Sequence, residues 1–179
     1  MKEMNRRAFL TLTGAALAMM ALTACGADDV PAAPPAPAAP TTSEEAKVLE
    51  AIKKYRAAAG VKEQITLEDG LKPAAEIVAE VVKGKRKYEE SIEDLGKIMS
   101  RYNDVSAPIG IAFDHDTGNM MPLCVYSEDA EQMAQKLPLQ VAEDTQDDLK
   151  SASLIAIQVF EYGGVKYWVA IVAKGKVTP

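Results

Sequence analysis

The sequence predicts an α+β fold, and three observations carry the prediction. Apolar residues recur at helical spacing through the first half of the body. Short apolar runs bounded by turn residues interrupt the second half, and two β-branched and aromatic segments joined at Gly163-Gly164 close the chain. Helices first, short strands between, and a hairpin last is the order of an α+β domain.

The first 24 residues belong to none of these elements. No charged side chain falls from Ala8 to Ala27, and Lys2, Arg6 and Arg7 precede that run, which is the basic-then-apolar order of an export signal. Leu22-Thr23-Ala24-Cys25 then joins a large aliphatic residue, two small ones and a cysteine, and resembles the lipobox of bacterial lipoproteins. That resemblance implies a diacylglyceryl group on the Cys25 thiol and cleavage just before it. Each buried methylene contributes about 0.8 kcal/mol, so two or more acyl chains hold a protein durably at a bilayer. The expected location is the outer face of the bacterial cell membrane, extracytoplasmic and lipid-anchored. An uncleaved transmembrane helix is the other reading of a run near the ~20 residues a span needs. Thr11, Thr13, Gly14 and Thr23 within it, and the fit of the four-residue box, favour the cleaved signal. Asn5-Arg6-Arg7-Ala8-Phe9-Leu10 also resembles a twin-arginine export motif, and an ordinary Sec signal with adjacent arginines fits the same residues. Residues 25–42 pair the cysteine with an Ala- and Pro-rich linker, whose composition favours extended polyproline II at about 3.1 Å per residue, the make-up of a tether.

The folding body is 43–177, long enough to bury roughly two-thirds of its unfolded surface around one core. Thr42 and Glu45 fit a capping box, and Val48, Leu49, Ile52, Tyr55 and Ala59 share one helical face up to Gly60, a C-terminal stop. After a loop over 61–65, Thr66 and Asp69 open a second helix with Pro73 in its first turn, a stripe from Leu71 to Val82, and an end near Gly84. Lys83, Lys85, Arg86 and Lys87 form a basic cluster that reads as a solvated turn; contact with anionic lipid is its other reading, and Glu89 and Glu90 come at once after it. Ser91 opens a third helix through Ile92, Leu95, Ile98, Met99 and Tyr102. Ile109-Gly110-Ile111-Ala112-Phe113 is a buried strand or its approach, Asp116-Thr117-Gly118-Asn119 its turn, and 123–126 a returning strand. Ser127, Ala130, Met133, Ala134 and Leu137 mark a fourth helix stopped at Pro138, with an acidic loop over 143–148 after it. The segments 154–160 and 166–173 form the closing hairpin.

Charge excludes one class of partner. The chain carries a formal −6, and its first 24 residues hold Lys2, Arg6 and Arg7 against Glu3, so the body is more acidic than the whole. Nucleic-acid binding draws its affinity from basic side chains that neutralise phosphates, and is not expected. Two cysteines, one of them spoken for, make no disulfide scaffold.

The order of elements resembles the CAP domain of cysteine-rich secretory and pathogenesis-related proteins, in its short bacterial form. Three stretches carry the resemblance. Val48-Leu49-Glu50-Ala51-Ile52-Lys53-Lys54-Tyr55-Arg56-Ala57-Ala58-Ala59-Gly60 is similar to the opening helix, where Asn-x-x-Arg-x-x-x-Gly is usual and Lys53 stands for the Asn. Ile65-Thr66-Leu67-Glu68-Asp69-Gly70-Leu71 with Ala74 and Ala75 resembles the lead into the next helix. Ile155-Ala156-Ile157-Gln158-Val159-Phe160, Gly163-Gly164 and Tyr167-Trp168-Val169 resemble the closing hairpin. The resemblance implies an α-β-α sandwich with about four helices flanking a small antiparallel sheet that ends in the C-terminal hairpin. The family's cavity residues are substituted: its first histidine falls on Gly84, its glutamate on Ile109 and its second histidine near Gln140. Without two histidines and a carboxylate, the zinc site of some relatives has no ligand set, and neither a metal nor another cofactor is expected.

Little other chemistry stands out. Asp114-His115-Asp116 offers carboxylates around an imidazole, yet adjacent side chains on extended backbone point to opposite faces, and the run reads better as a polar turn. Cys124 lies among apolar residues as a buried, inert thiol. Met120 and Met121, with Met99 and Met133, fit core filling or an adaptable groove, and of Tyr167 and Trp168 one faces inward. The expectation is a surface-anchored, non-catalytic CAP-like module that binds a lipid, a cell-wall component or a partner protein. The alternative is an extracytoplasmic hydrolase with Asp114, His115, Asp116 and Cys124 as its only candidates; a solute-binding lipoprotein is weaker, because the body has room for one lobe.

Overall fold

The computed structural model describes residues 43–106, 108–114, 117 and 119–177. The segments read as an export signal and a linker, with Cys25 and Thr42, lie outside the described residues, as do His115 and Asp116. In chain order the elements are α1 (Ser43–Ala58), β1 (Thr66–Leu67), a 3-10 turn (Asp69–Leu71), α2 (Lys72–Val82), α3 (Tyr88–Met99), β2 (Tyr102–Asn103), β3 (Ile111–Asp114), β4 (Asn119–Pro122), α4 (Ala130–Gln140), α5 (Glu143–Ser151), β5 (Leu154–Tyr162), β6 (Val165–Ala173) and β7 (Gly175–Lys176). Helices and small sheets are mixed as an α+β fold requires. Among the described residues no helix is long and apolar enough to cross a membrane.

β5 and β6 pair antiparallel from Leu154↔Ala173 to Tyr162↔Val165. Their side chains alternate between faces, and both faces are apolar. Ile155, Ile157, Trp168, Ala170 and Val172 point to one side, and Ala156, Phe160, Val169, Ile171 and Ala173 to the other. A strand pair buried on both faces needs cover on both. α1 and α4 cover the first with Val48, Ile52, Met133 and Leu137, while α2 and α3 cover the second with Ala74, Ala75, Val78 and Leu95. Trp168 is thus the inward residue of its pair, and Tyr167 lies half-buried on the other face. At the edges, β1 runs parallel to β5, and Ile109 and Val125 bridge to Ala170 and Tyr167 of β6. β2 pairs with β7, and β3 with β4.

Five local expectations are corrected. Ser91 does not open the third helix but lies inside α3, which starts at Tyr88 and ends at Met99, and Tyr102 belongs to β2. Thr66 starts no helix: it pairs with Leu154 as part of β1, and its N–H bonds Ser153 O at 2.9 Å. The returning strand is 119–122 rather than 123–126, because β4 pairs with β3 from Ile111↔Pro122 to Asp114↔Asn119. α4 does not stop at Pro138 but continues to Gln140; the helix is capped at Asp129, and a bond from Val141 N–H to Leu137 O (3.1 Å) closes its end despite the missing proline donor. The acidic loop over 143–148 is the start of α5, a fifth helix. Glu143 and Asp144 sit at its positive end, Lys150 at its negative end, and fully buried Leu149 anchors it.

Two polar groups hold these pieces in register. Arg56, 2% exposed, donates from Nη1 to Leu149 O (2.6 Å) and Ala152 O (2.8 Å) and from Nη2 to Glu63 O (2.9 Å). Burial lowers its pKa from the ordinary 12.5, and the charge of Glu63 opposes that shift. The helix carrying it ends as predicted, with Gly60 N–H on Ala57 O and Val61 N–H on Arg56 O. Glu68 plays the second part: Oε1 accepts from Tyr102 O–H (3.1 Å) and Gly70 N–H (3.2 Å), and Oε2 faces Lys176 Nζ at 3.0 Å. Burial pushes this carboxyl up, but the bonds from Lys176, Gly70 and Tyr102 outweigh burial and hold it below the ordinary 4.5. The Tyr102 phenol, buried against that carboxylate, is pushed up to about 12.

Arg56→Met keeps the stem and strands three carbonyls, so urea unfolding should read a loss on the order of 3 kcal/mol, with Arg56→Lys recovering only part of it. A loss under about 1 kcal/mol would remove Arg56 from this role. Glu68 has a depressed folded pKa, so its stabilisation is present above the ordinary carboxylate value and lost as pH falls through the lower, folded one. Glu68→Gln should therefore lower Tm most near neutral pH, and the gap from the parent should close as melts are taken down toward pH ~3.

Candidate functional site

α2 ends in a glycine-dependent stop. Lys85 N–H bonds Glu80 O and Gly84 N–H bonds Val81 O, both at 2.9 Å, with Gly84 at φ +68°. A Cβ in that left-handed conformation costs on the order of 1 kcal/mol, so the position that the family resemblance gives to histidine is occupied here by a structural requirement. Three residues on, extended Lys87 caps α3. The basic cluster is thereby fixed in the short turn between two helices.

This turn forms one wall of a cleft of about 640 Å3. Lys83, Arg86 and Lys87 line it on that side with Tyr88 and Glu89; Asn119, Met120 and Met121 of β4 and Tyr162 of β5 face them. Met120 is buried, whereas Met121 is 59% and Tyr162 41% exposed. The Tyr88 ring packs on Phe113 with centroids 4.7 Å apart, which ties α3 to β3. Lys83 Nζ sits 5.9 Å from the Phe160 ring centre, a cation–π distance. Arg86 pairs with Asp94 and donates to Glu90 O, and Lys87 lies 3.9 Å from Glu90. Lys83 and Lys85 make no ion pair among the described residues. The cleft therefore joins a cationic lip to thioether and phenol surface.

The three substituted family positions are not brought together. Gly84 lines this cleft, and neither Ile109 nor Gln140 does. Ile109 is fully buried in the layer under α1 and α4, its N–H and C=O both bonded to Ala170 at 2.8 and 3.0 Å. Gln140 ends α4, and its carbonyl lies 3.9 Å from the Cys124 thiol. Asp114 closes β3, with its carboxylate accepting from Thr117 Oγ1 at 2.6 Å, the bond of a polar turn. Cys124 is fully buried, and burial pushes its thiol up to about 12. Among the described residues no group of three or more His, Cys, Asp or Glu side chains is placed to hold a metal ion. The four methionines divide: Met120 and Met133 fill core, Met99 is half-buried on α3, and Met121 opens onto the cleft.

The basic cluster and the methionine pair stand out in the sequence, but their meeting does not. The opposing wall comes from Thr117, Asn119, Met120, Met121 and Tyr162, distant in the chain from the basic turn, and nothing local marks Tyr162 as more than a residue beside the hairpin turn. Comparison with family models, with curated proteins and with solved structures finds no match to this chain.

A thiolate nucleophile needs a depressed pKa, the opposite of what Cys124 has. At pH 8 a thiol reagent should leave Cys124 unmodified in the native protein and react with it only at the rate of unfolding; fast native labelling would show that the thiol is reachable.

Proposed function

We propose that the mature chain is a lipid-anchored, extracytoplasmic binding module, held at the outer face of the cell membrane through Cys25, with a non-catalytic domain of CAP-like α-β-α design. Supporting the design are the helical cover on both faces of the closing hairpin and the use of Arg56 and Gly60 in the opening helix. Five helices among the described residues and a parallel β1 depart from the expected four helices and antiparallel sheet. The absence of the cavity histidines and glutamate supports a binding role over a hydrolytic one, and Cys124 cannot serve as the nucleophile of the alternative.

The observation that carries the reading is the cleft. An uncompensated Lys83 beside Met121 and Tyr162 suits a ligand with an anionic head and an apolar tail. Of the three ligand classes expected, a lipid-like amphiphile fits best, since charge and apolar surface sit within one opening. Arg86 and Lys87, already engaged with Asp94 and Glu90, supply field more than direct contact.

Titration calorimetry with dodecyl phosphate should detect binding, and dodecanol should bind at least tenfold more weakly. Lys83→Glu and Met121→Asp should each weaken dodecyl phosphate at least fivefold without changing Tm, because both side chains are peripheral to the core. Equal affinity for dodecanol, or parent-like binding by both variants, would sink the reading. Mass spectrometry of the N-terminal peptide tests the anchor separately, expecting Cys25 modified by a diacylglyceryl group.

A further inference from the structure

We propose that the groove between α1 and α4 is an interface between two copies of this chain, in which Leu139 of each copy fills the groove of the other. The inference depends neither on the lipid anchor nor on the ligand assigned to the cleft.

Shape comes first. The groove has a volume of about 420 Å3, and its apolar lining is Tyr55, Ala58 and Ala59 of α1 with Ala134 and Pro138 of α4. Ala58, Ala59 and Pro138 are exposed, so this surface stands in water. Leu139 is 87% exposed, the most exposed of the large apolar side chains among the described residues. It follows Pro138 directly and lies one helical turn beyond Gln135, another residue of the groove, so it stands at the groove's end. A lone exposed leucine needs no account. This one adjoins an apolar hollow, and at such exposure it does not fill the hollow of its own copy. A two-fold axis beside α4 makes the arrangement reciprocal, because an isologous interface gives each knob the other copy's hole.

Charge selects the occupant. Beside the groove, Lys54 lies 3.2 Å from Glu131 and 3.9 Å from Glu50, and Lys150 lies 2.8 Å from Asp147. A rim that carries both signs and is already paired offers little field to a strongly charged partner. On either side of Leu139 the charges are unmatched. Lys136, one turn before it on α4, and Glu143, which opens α5, make no ion pair among the described residues. The two-fold that exchanges the leucines sets Lys136 of each copy against the acidic start of the other copy's α5. A patch basic before its knob and acidic after it carries its own complement, and a second copy is the partner that matches it. Glu50 and Asp144 stay in excess, and exposed charges of this kind are screened beyond about 8 Å at physiological salt.

The test uses residues 25–179 with Cys25→Ser, a chain with no acyl group to force copies together. Ala58→Cys and Leu139→Cys are made in separate chains, one of them tagged, and mixed under copper phenanthroline. Each chain then holds one exposed cysteine, since Cys124 is fully buried, so a disulfide between positions 58 and 139 forms only between copies. Its yield should exceed at least tenfold that of a Met121→Cys chain, altered at the cleft, mixed with the Leu139→Cys chain. Lys136→Glu in both chains should cut the yield at least fivefold, and Glu143→Lys added to both should restore it. All five altered positions are exposed, so the fold should be kept throughout. A yield no higher than with position 121, one indifferent to Lys136→Glu, or one that the charge reversal fails to restore overturns the proposal.

Discussion

A buried guanidinium sets the frame on which the rest is hung. Antiparallel β5 and β6 fix each other through a two-residue turn, but the parallel pair β1 and β5 has no such device, since parallel neighbours are joined only by long connections. Arg56 supplies it. By taking Leu149 O and Ala152 O it fixes where β5 begins, and by taking Glu63 O it fixes the approach to β1. One side chain on α1 thus holds the entrances of both strands, and Thr66 N–H on Ser153 O completes the junction. A cation is suited to the task because the last carbonyls of α5 lack helical partners and present negative charge in one direction. With β5 placed, the apolar layers are determined: Ile155 and Ile157 must face α1, and Ala156 and Phe160 must face α2.

What could be read in the sequence depended on how many residues repeat a signal. The closing hairpin was legible because eighteen ladder positions from 154 to 173 all obey one alternation around Gly163-Gly164. α1 and α2 were legible because their apolar stripes end at glycines that take positive φ. α5 was not, because its nine residues offer Leu149 as the one apolar anchor and owe their helicity to end charges and the Arg56 clamp. β1 was hidden for a related reason: two residues cannot show a period, and their strand character is conferred by Leu154 and Ile155, far along the chain. At Pro138 the local rule was sound but incomplete. A proline lacks one donor, and α4 tolerates the loss two residues from its end. The cleft was half legible, as a basic run and a methionine pair whose apposition is a product of the two-layer packing.

The same packing separates positions that structure consumes from positions it leaves over. Gly84 must take a left-handed conformation to end α2, and Ile109 must be apolar and fully paired to extend the sheet beyond β6. Neither can hold a ligand without loss of stability, so under the proposed CAP-like design these substitutions turn cavity positions into scaffold. Lys83, Met121 and Tyr162 show the opposite pattern. The apolar surface of Met121 and Tyr162 is in water and the charge of Lys83 is not spent on an ion pair, so the fold gains little from their identity. A scattered exposed methionine or tyrosine needs no explanation, but their convergence with a cationic turn on one opening does. Binding is the use that such a surface has and that a core residue lacks, which is why the chemistry of this protein is sought on its rim and not in its interior.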